Sequence, residues 1–584
     1  MVSWVDVQRW DIDRLGAAVD KLNKYCDTLT ELNDEVTTSS APREWHGGAS
    51  HAAASNLGTL TDDLDGLVAG VGAVRRAAHE AEGAVNALLQ AIAEAKGLAA
   101  AHDFVINASG AVQSVSPVPA ADLPPDVVAE RDRVQAEVAD RVEQILRRAD
   151  DVDNDIADVI GRAILGTISE GDSTTLAQAA EAGAAQGGLS VLGPPQGGTP
   201  GDNSGWWASL SEAERRQILR AHPEWIGNLD GVPAKYRDEA NRARLPMERA
   251  RLEAEAQRLR EELDGNLFGG TFSGADDRLA EVEAKLESLN AIETVLSFPD
   301  RHLLNLDLSD SRAEAAIANG DVDTADHVSV FTPGFTSTVD GSMERYDQNL
   351  NDLRLQTEDV LKTTDPGATV ATVTWIGYQA PQATLESVAG PGSTVLGEEA
   401  ARAGAKELNS FLNGLDTART ADAHLTALGH SYGSLTTGLA LQDSSGVDDA
   451  VMFGSPGLGT GSTSDLRVPD GHVTSIEANE DMVADMGRSG HLGEDPSTME
   501  GMRHGETGAV GAERNIFGKG LVEVTGHSGY LTPNSTSQYN MAVIVAGEQD
   551  LVIEGNNTDI GDALGQTGRD FAHETWEIMP WNWG

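Results

Sequence analysis

The stretch HLTALGHSYGSLTTGLAL, residues 424–441, decides the reading of this chain. Its first seven residues form an apolar run that predicts a strand, and Ser434–Leu441 continues as the start of a helix. Between them lies Gly429-His430-Ser431-Tyr432-Gly433, which fits the pattern G-x-S-x-G. A serine on a sharp strand-to-helix turn is held in a strained backbone conformation. Glycines two residues to either side remove the Cβ atoms that would clash there. In a chain with 63 glycines the pentapeptide alone decides little. The strand before it and the helix after it carry the reading of Ser431 as an exposed elbow serine.

Such a serine needs a base, and an acid to hold the base, in the chain order serine, acid, histidine. The run 472–478 predicts a strand and is followed by Asn479-Glu480-Asp481-Met482-Val483. An acid just past the carboxyl end of a strand stands where sites form in such sheets. Asp481 is the first candidate, with Glu480 and Asp485 as rivals. The run GLVEVT, 520–525, predicts another strand, and His527 follows it as the candidate base. His430 adjoins Ser431, but its side chain is expected to project away from the pocket. His491 and His504 are expected in a Gly-rich lid loop within 487–518. An oxyanion hole takes two backbone N–H donors. Tyr432, after the serine, is one; the turn Pro333-Gly334-Phe335, after HVSVFTP, offers Phe335 as the second. This chemistry calls for no metal and no organic cofactor.

Outward from this centre, the runs HVSVFTP, TVATVTW, HLTALGH, DAVMFG, HVTSIEA and GLVEVT alternate with helical stretches from residue 326 onward. Such alternation implies a mostly parallel sheet covered by helices. A charged helical hairpin, 245–293, precedes it. Residues 1–165 read as long helices. Leu15, Val19, Leu22, Cys26, Leu29, Leu32 and Val36 step by three and four, and the pattern resumes from Leu57 to Ile92 after a break containing Pro42 and Gly47–Gly48. A small hairpin fits 103–115 and a further helix 125–164, with Val134, Val138, Ile145, Val152, Ile156 and Ile160 inward. Residues 166–203, rich in Gly and Pro, are expected to be a flexible linker. Residues 547–584 form an acidic, Trp-containing end.

The 584 residues carry 93 acids against 41 bases, a formal charge of -52. That balance argues against binding nucleic acid or an anionic membrane, whose phosphates it would repel. One cysteine, Cys26, excludes an internal disulfide and a Cys-based zinc site. No apolar run reaches the roughly 18 residues a membrane span requires. The start MVSWVDVQRWDIDRL lacks the basic end and apolar core of a secretory signal. The expectation is a cytoplasmic chain, or one exported by a route that reads no such signal.

The segments WWASLSEAERRQIL, HPEWIGNLDGVPAKYRDEANR, DVDTADHVSVFTPGF, LGHSYGS, ANEDMV, LGEDPS and HSGYL stand in order between about 204 and 546. With them, this region resembles an actinobacterial α/β-hydrolase domain family of unknown function. The resemblance implies an α/β-hydrolase fold and a Ser-Asp-His triad at Ser431, Asp481 and His527; it implies no substrate. Within it, HPEWIGNLDG fits pocket capping and core packing equally. The first 100 residues resemble the WxG-type helical hairpins exported by type VII secretion, through Trp45-His46-Gly47 between two long helices. That likeness implies a helical secretion partner. The Tyr-and-acid export motif of such substrates is missing, so a partner would supply the signal or the chain would stay inside. The expected function is a serine hydrolase, esterase- or lipase-like, acting on a small-molecule or lipid ester. The alternatives are a non-enzymatic scaffold of a secretion system, or a secreted effector with acyltransferase activity.

Overall fold

The computed structural model describes residues 1–38, 45–116, 123–264, 274–382, 398–419, 421–485, 487 and 490–555. Pro42, the turn of the 245–293 hairpin and most of the acidic end fall outside them. The described chain forms two compact units. One comprises Met1–Pro117 and Val134–Ala221; the other comprises 118–133 and the chain from His222 onward.

The first unit is helical. It holds α1 (Trp4–Val7), α2 (Ile12–Thr38), α3 (Gly48–Ala101), most of α4 (Pro125–Ile164), α5 (Leu176–Ala185), α6 (Pro200–Ser209) and α7 (Glu212–Ala221). A small antiparallel hairpin, β1 (Phe104–Ile106) with β2 (Val112–Ser114), follows α3. The buried face of α3 is mostly alanine: Ala69, Ala73, Ala77, Ala81, Ala84, Ala91 and Ala95, with Leu88 among them. Their spacing of three and four keeps one helical face inward, and small side chains let neighbouring backbones approach. From α4, Val138, Val142, Ile145, Ala149 and Val152 are buried, whereas Ile160 is exposed rather than inward. Leu60 and Leu67, in the amino-terminal half of the α3 stripe, are also exposed, as is Trp45.

The expected flexible linker at 166–203 is corrected by this unit. The segment contains α5 and packs along α3. A Cβ on Gly183 would lie 2.0 Å from the Ala69 carbonyl oxygen, and one on Gly187 would lie 2.1 Å from that of Ala73. These glycines bring two backbones into contact, and the segment is tied down beyond them. Leu189 N–H donates to Glu80 Oε2 (2.7 Å), and Trp206 Nε1–H donates to Leu192 O (2.9 Å).

The second unit is built on one eight-stranded sheet. Its strands are β3 (Arg301–Asp307), β4 (Glu314–Asn319), β5 (His327–Thr332), β6 (Val370–Ile376), β7 (His424–His430), β8 (Asp449–Phe453), β9 (Val473–Ile476) and β10 (Arg503–Gly505). Their order is β10-β9-β8-β7-β5-β6-β4-β3, and only β4 runs against its neighbours. Successive side chains alternate between two buried faces. Phe331, Leu428 and Val451 pack in the layer of α8 (Ala234–Asp264), α9 (Ala275–Leu296), α10 (Val339–Thr364) and α14 (Thr536–Val545). Val330, Ala427 and Met452 pack in the layer of α11 (Glu399–Thr417) and α12 (Tyr432–Ala440).

Three expectations are revised here. The pair β3–β4 was not read from the sequence. The last sheet strand is 503–505, so His504 belongs to the sheet rather than to a lid. The run 520–525 forms only isolated bridges, among them Asn479 with Thr525. Within 487–518, Leu492, Met499 and Met502 are packed in the core. Part of HPEWIGNLDG has a structural account. The Asn228 amide donates to Leu306 O (2.9 Å) and accepts from Leu306 N (2.9 Å), which satisfies the backbone of that one residue of edge strand β3.

Candidate active site

Ser431 sits between β7 and α12 with φ 56° and ψ −131°. A non-glycine residue adopts that conformation only when its surroundings impose it. Gly429 and Gly433 are what make the turn possible. A Cβ on Gly429 would stand 2.7 Å from Ser434 Cα, and one on Gly433 would stand 2.2 Å from the Thr332 carbonyl oxygen. The turn is pinned where Ser431 N–H donates to Phe453 O (3.1 Å) and Ser434 Oγ donates to Ser431 O (2.5 Å). Ser431 is 4% exposed, so it lies at the floor of the site and not on an open surface.

Asp481 follows β9 and is buried. Its Oδ1 accepts from the backbone N–H of Val483 (3.0 Å) and Ala484 (3.1 Å) at the start of α13 (Met482–Asp485). Its Oδ2 accepts from the Tyr530 hydroxyl (2.5 Å). His527 Nδ1–H reaches both oxygens, at 2.9 Å and 3.0 Å. Burial alone would raise the carboxyl pKa. The His527 charge and the hydrogen bonds from His527, Tyr530 and Ala484 outweigh it and hold Asp481 below its ordinary value. Of the rivals, Glu480 is exposed and takes the left-handed conformation (φ 64°) of the turn, while Asp485 lies at the far end of the short helix. The two loops meet directly: Gly526 N–H donates to Asn479 O (2.8 Å), which sets His527 beside Asp481 without a preceding sheet strand.

Three residues that sequence reasoning left unused complete the arrangement. His430 does not project away. Its ring stacks on that of His527, with centroids 4.8 Å apart, and its Nε2–H donates to the His527 carbonyl oxygen (3.0 Å). Burial, then repulsion from His527, lowers its pKa to about 3, so it is neutral. Gly454, at the end of β8, has φ 57°. A Cβ there would fall 2.9 Å from Asp481 Oδ2 and 3.2 Å from His527 Cε1. Tyr530 stands one helical turn's spacing after His527, a separation no local pattern makes meaningful.

The fold thus brings Ser431, Asp481 and His527 to the carboxyl edge of the sheet. It joins the last two by hydrogen bonds; among the described residues none joins Ser431 Oγ to His527 Nε2. Beside the serine, a Cβ on Gly334 would stand 2.6 Å from Ser431 Cβ and 2.8 Å from Tyr432 N. The turn Pro333-Gly334-Phe335 therefore lies against the first N–H groups of α12, where helices have no intrahelical acceptors. Tyr432 and Phe335 are adjacent to this close approach, and Phe335 is half-buried against the core. Among the described residues no cluster of His, Cys, Asp and Glu has the geometry of a metal site.

With this geometry in view, the comparisons are specific. The sequence model of the family described as alpha/beta hydrolase matches residues 309–490, which include Ser431 and Asp481 but stop before His527. An uncharacterized protein of Mycobacterium bovis is 35% identical over 225 residues, 37% of this chain and 82% of the relative. The chain belongs to the alpha/beta-hydrolase family. An uncharacterized protein of Mycobacterium tuberculosis is 30% identical over 385 residues, 61% of this chain. This member of the family spans 57% of the length of that relative. The relatives are described as uncharacterized, and they name neither an activity nor a substrate.

Proposed function

We propose that the chain is a serine hydrolase of the esterase or lipase type, with Ser431 as nucleophile, His527 as base and Asp481 as the acid that holds His527. The observation that carries this reading is one edge of the sheet where a strained, buried serine is preceded in the chain by His430, whose ring stacks on His527 of the His527–Asp481 pair. Asp481 fixes Nδ1 as the protonated nitrogen of His527 and leaves Nε2 to take a proton. Ser431 Oγ attacks the acyl carbon as His527 takes its proton. The carbonyl oxygen becomes the oxyanion, held by the N–H groups of Tyr432 and Phe335. The leaving alcohol takes the proton from His527, and water repeats the sequence to release the acid and free serine. The proposed substrate class is a small-molecule or lipid ester.

Labelling with a fluorophosphonate tests the reading without knowledge of the substrate. The wild-type chain is expected to label at Ser431, and Ser431→Ala is expected to abolish the signal. A folded wild-type chain that fails to label would overturn the proposal, as would unchanged labelling of Ser431→Ala.

A further inference from the structure

The Asp481 carboxylate is held asymmetrically, and the asymmetry assigns a task to Tyr530. Oδ1 has two backbone donors, Val483 and Ala484. Oδ2 has one donor besides His527, the Tyr530 hydroxyl at 2.5 Å. That hydroxyl is itself aimed: it accepts from Ala478 N–H (2.9 Å), two residues past the end of β9, so its own proton is directed to Asp481. The ring is fixed as well. It is buried at 1% exposure and packs against Phe453 and His430, with centroids 5.6 Å and 5.9 Å away. A buried phenol wedged between a strand end and a carboxylate is positioned by the core rather than by solvent. It reaches the carboxylate at Oδ2, the oxygen that the α13 N–H groups leave free of their own hydrogen bonds.

We propose that Tyr530 is a positioning residue for the reaction, acting through Asp481. It fixes the rotation of the carboxylate so that both oxygens face His527 Nδ1, and it disperses the charge on Oδ2. The role rests on the serine-hydrolase reading above. Burial, with the Asp481 charge and hydrogen bond next, raises the phenol pKa well above its ordinary value, so Tyr530 remains a donor throughout the working range.

A structural tyrosine and a positioning one differ in what their loss does to His527. Without the hydroxyl, the charge on Oδ2 is less dispersed and attracts the imidazolium more strongly. That stronger attraction within the pair is what the acid limb of the pH–rate profile reads. The experiment follows the rate of fluorophosphonate labelling against pH for the full chain. Tyr530→Phe keeps the ring and removes only the donor. It is expected to label about tenfold more slowly, the scale of one hydrogen bond to a charged group, and its acid limb is expected to move to higher pH. In an Asp481→Asn background the same substitution is expected to cost nothing further, because the group it acts through is already neutral. Should Tyr530→Phe fail to fold, replacement of Tyr530 by a ring-fluorinated tyrosine gives the second reading. A stronger donor of the same shape is expected to move the acid limb to lower pH. Equal rates with an unmoved limb, or an undiminished tenfold loss in the Asp481→Asn chain, would overturn the role of Tyr530 and leave the hydrolase reading standing. A wild-type chain that does not label overturns both.

Discussion

At Ser431 the polypeptide holds strain that a smaller residue would relieve. With φ 56° and ψ −131°, the backbone lies where only glycine rests without cost. Ser431→Gly is therefore expected to abolish labelling and yet to stabilise the fold by about 1 kcal/mol, read from urea unfolding. A destabilised Gly variant would mean that the elbow is relaxed. The neighbouring Gly334 tests the other half of the site. Its missing side chain leaves the space 2.8 Å from Tyr432 N that an oxyanion would use. Gly334→Ala is expected to lower the labelling rate about a hundredfold, the scale of one lost oxyanion donor, and to lower the unfolding midpoint as well, because the added Cβ would stand 2.6 Å from Ser431 Cβ. These residues also mark the limit of what a sequence discloses. Ser431, Gly429 and Gly433 are legible because the strained turn is a local device, encoded within five residues. The uses of His430 and Tyr530 were not legible, because each is defined by a contact across the fold: His430 with the carbonyl of a residue 97 positions away, Tyr530 with an acid 49 positions away.

At the scale of elements, the legible strands are those rich in Val, Phe and Trp and bounded by turn residues, such as 327–332 and 370–376. The antiparallel strand β4 has the sequence EAAIAN, whose alanines favour helix. It is a strand because β3 and β6 flank it on both sides, so pairing overrides propensity. The run 520–525 errs in the opposite sense: it alternates like a strand but finds no sheet partner beyond single bridges. Composition failed most clearly at 166–203, because glycine serves both flexible chains and close-packed backbones. Only the Cβ clearances of Gly183 and Gly187 against α3 separate the two. This predicts that Gly187→Ala, by forcing α5 and its flanks away from α3, destabilises the helical unit by about 2 kcal/mol. Limited proteolysis of the full chain reports the result. The wild type is expected to resist cutting in 176–195, and the variant to be cut there. Equal cutting of both would restore the flexible-linker reading.

For the whole molecule, stability against pH is set by opposed contributions, and one of them can be isolated. The charge of -52 makes the folded chain repel itself at neutral pH, and mild acid relieves that. His424 works in the same sense. Burial lowers its pKa, but Asp449 and Asp448 outweigh that and raise it, so its stabilisation is complete below 6.5 and fades as pH rises through the folded value. Asp481 acts oppositely. Its lowered pKa gives stability that is present above 3.8 and is lost as pH falls through the folded value. His430 acts in the same sense as Asp481 but starts to do so nearer neutrality. Its pKa is about 3 when folded against 6.5 when unfolded, so between those values the unfolded chain binds a proton that the folded chain refuses. Stability from the neutral imidazole is intact above 6.5 and falls by about 1.4 kcal/mol for each pH unit below it. His430→Phe keeps the ring stacked on His527 and removes the titration. The charge relief and the contributions of His424 and Asp481 are common to both chains and cancel in their difference. Measured by urea unfolding at successive pH values from 7 to 5, the wild type is expected to lose stability relative to His430→Phe at about that slope. Parallel curves would mean that His430 meets water or a counter-charge when protonated, and that the wall of the site behind Ser431 is open.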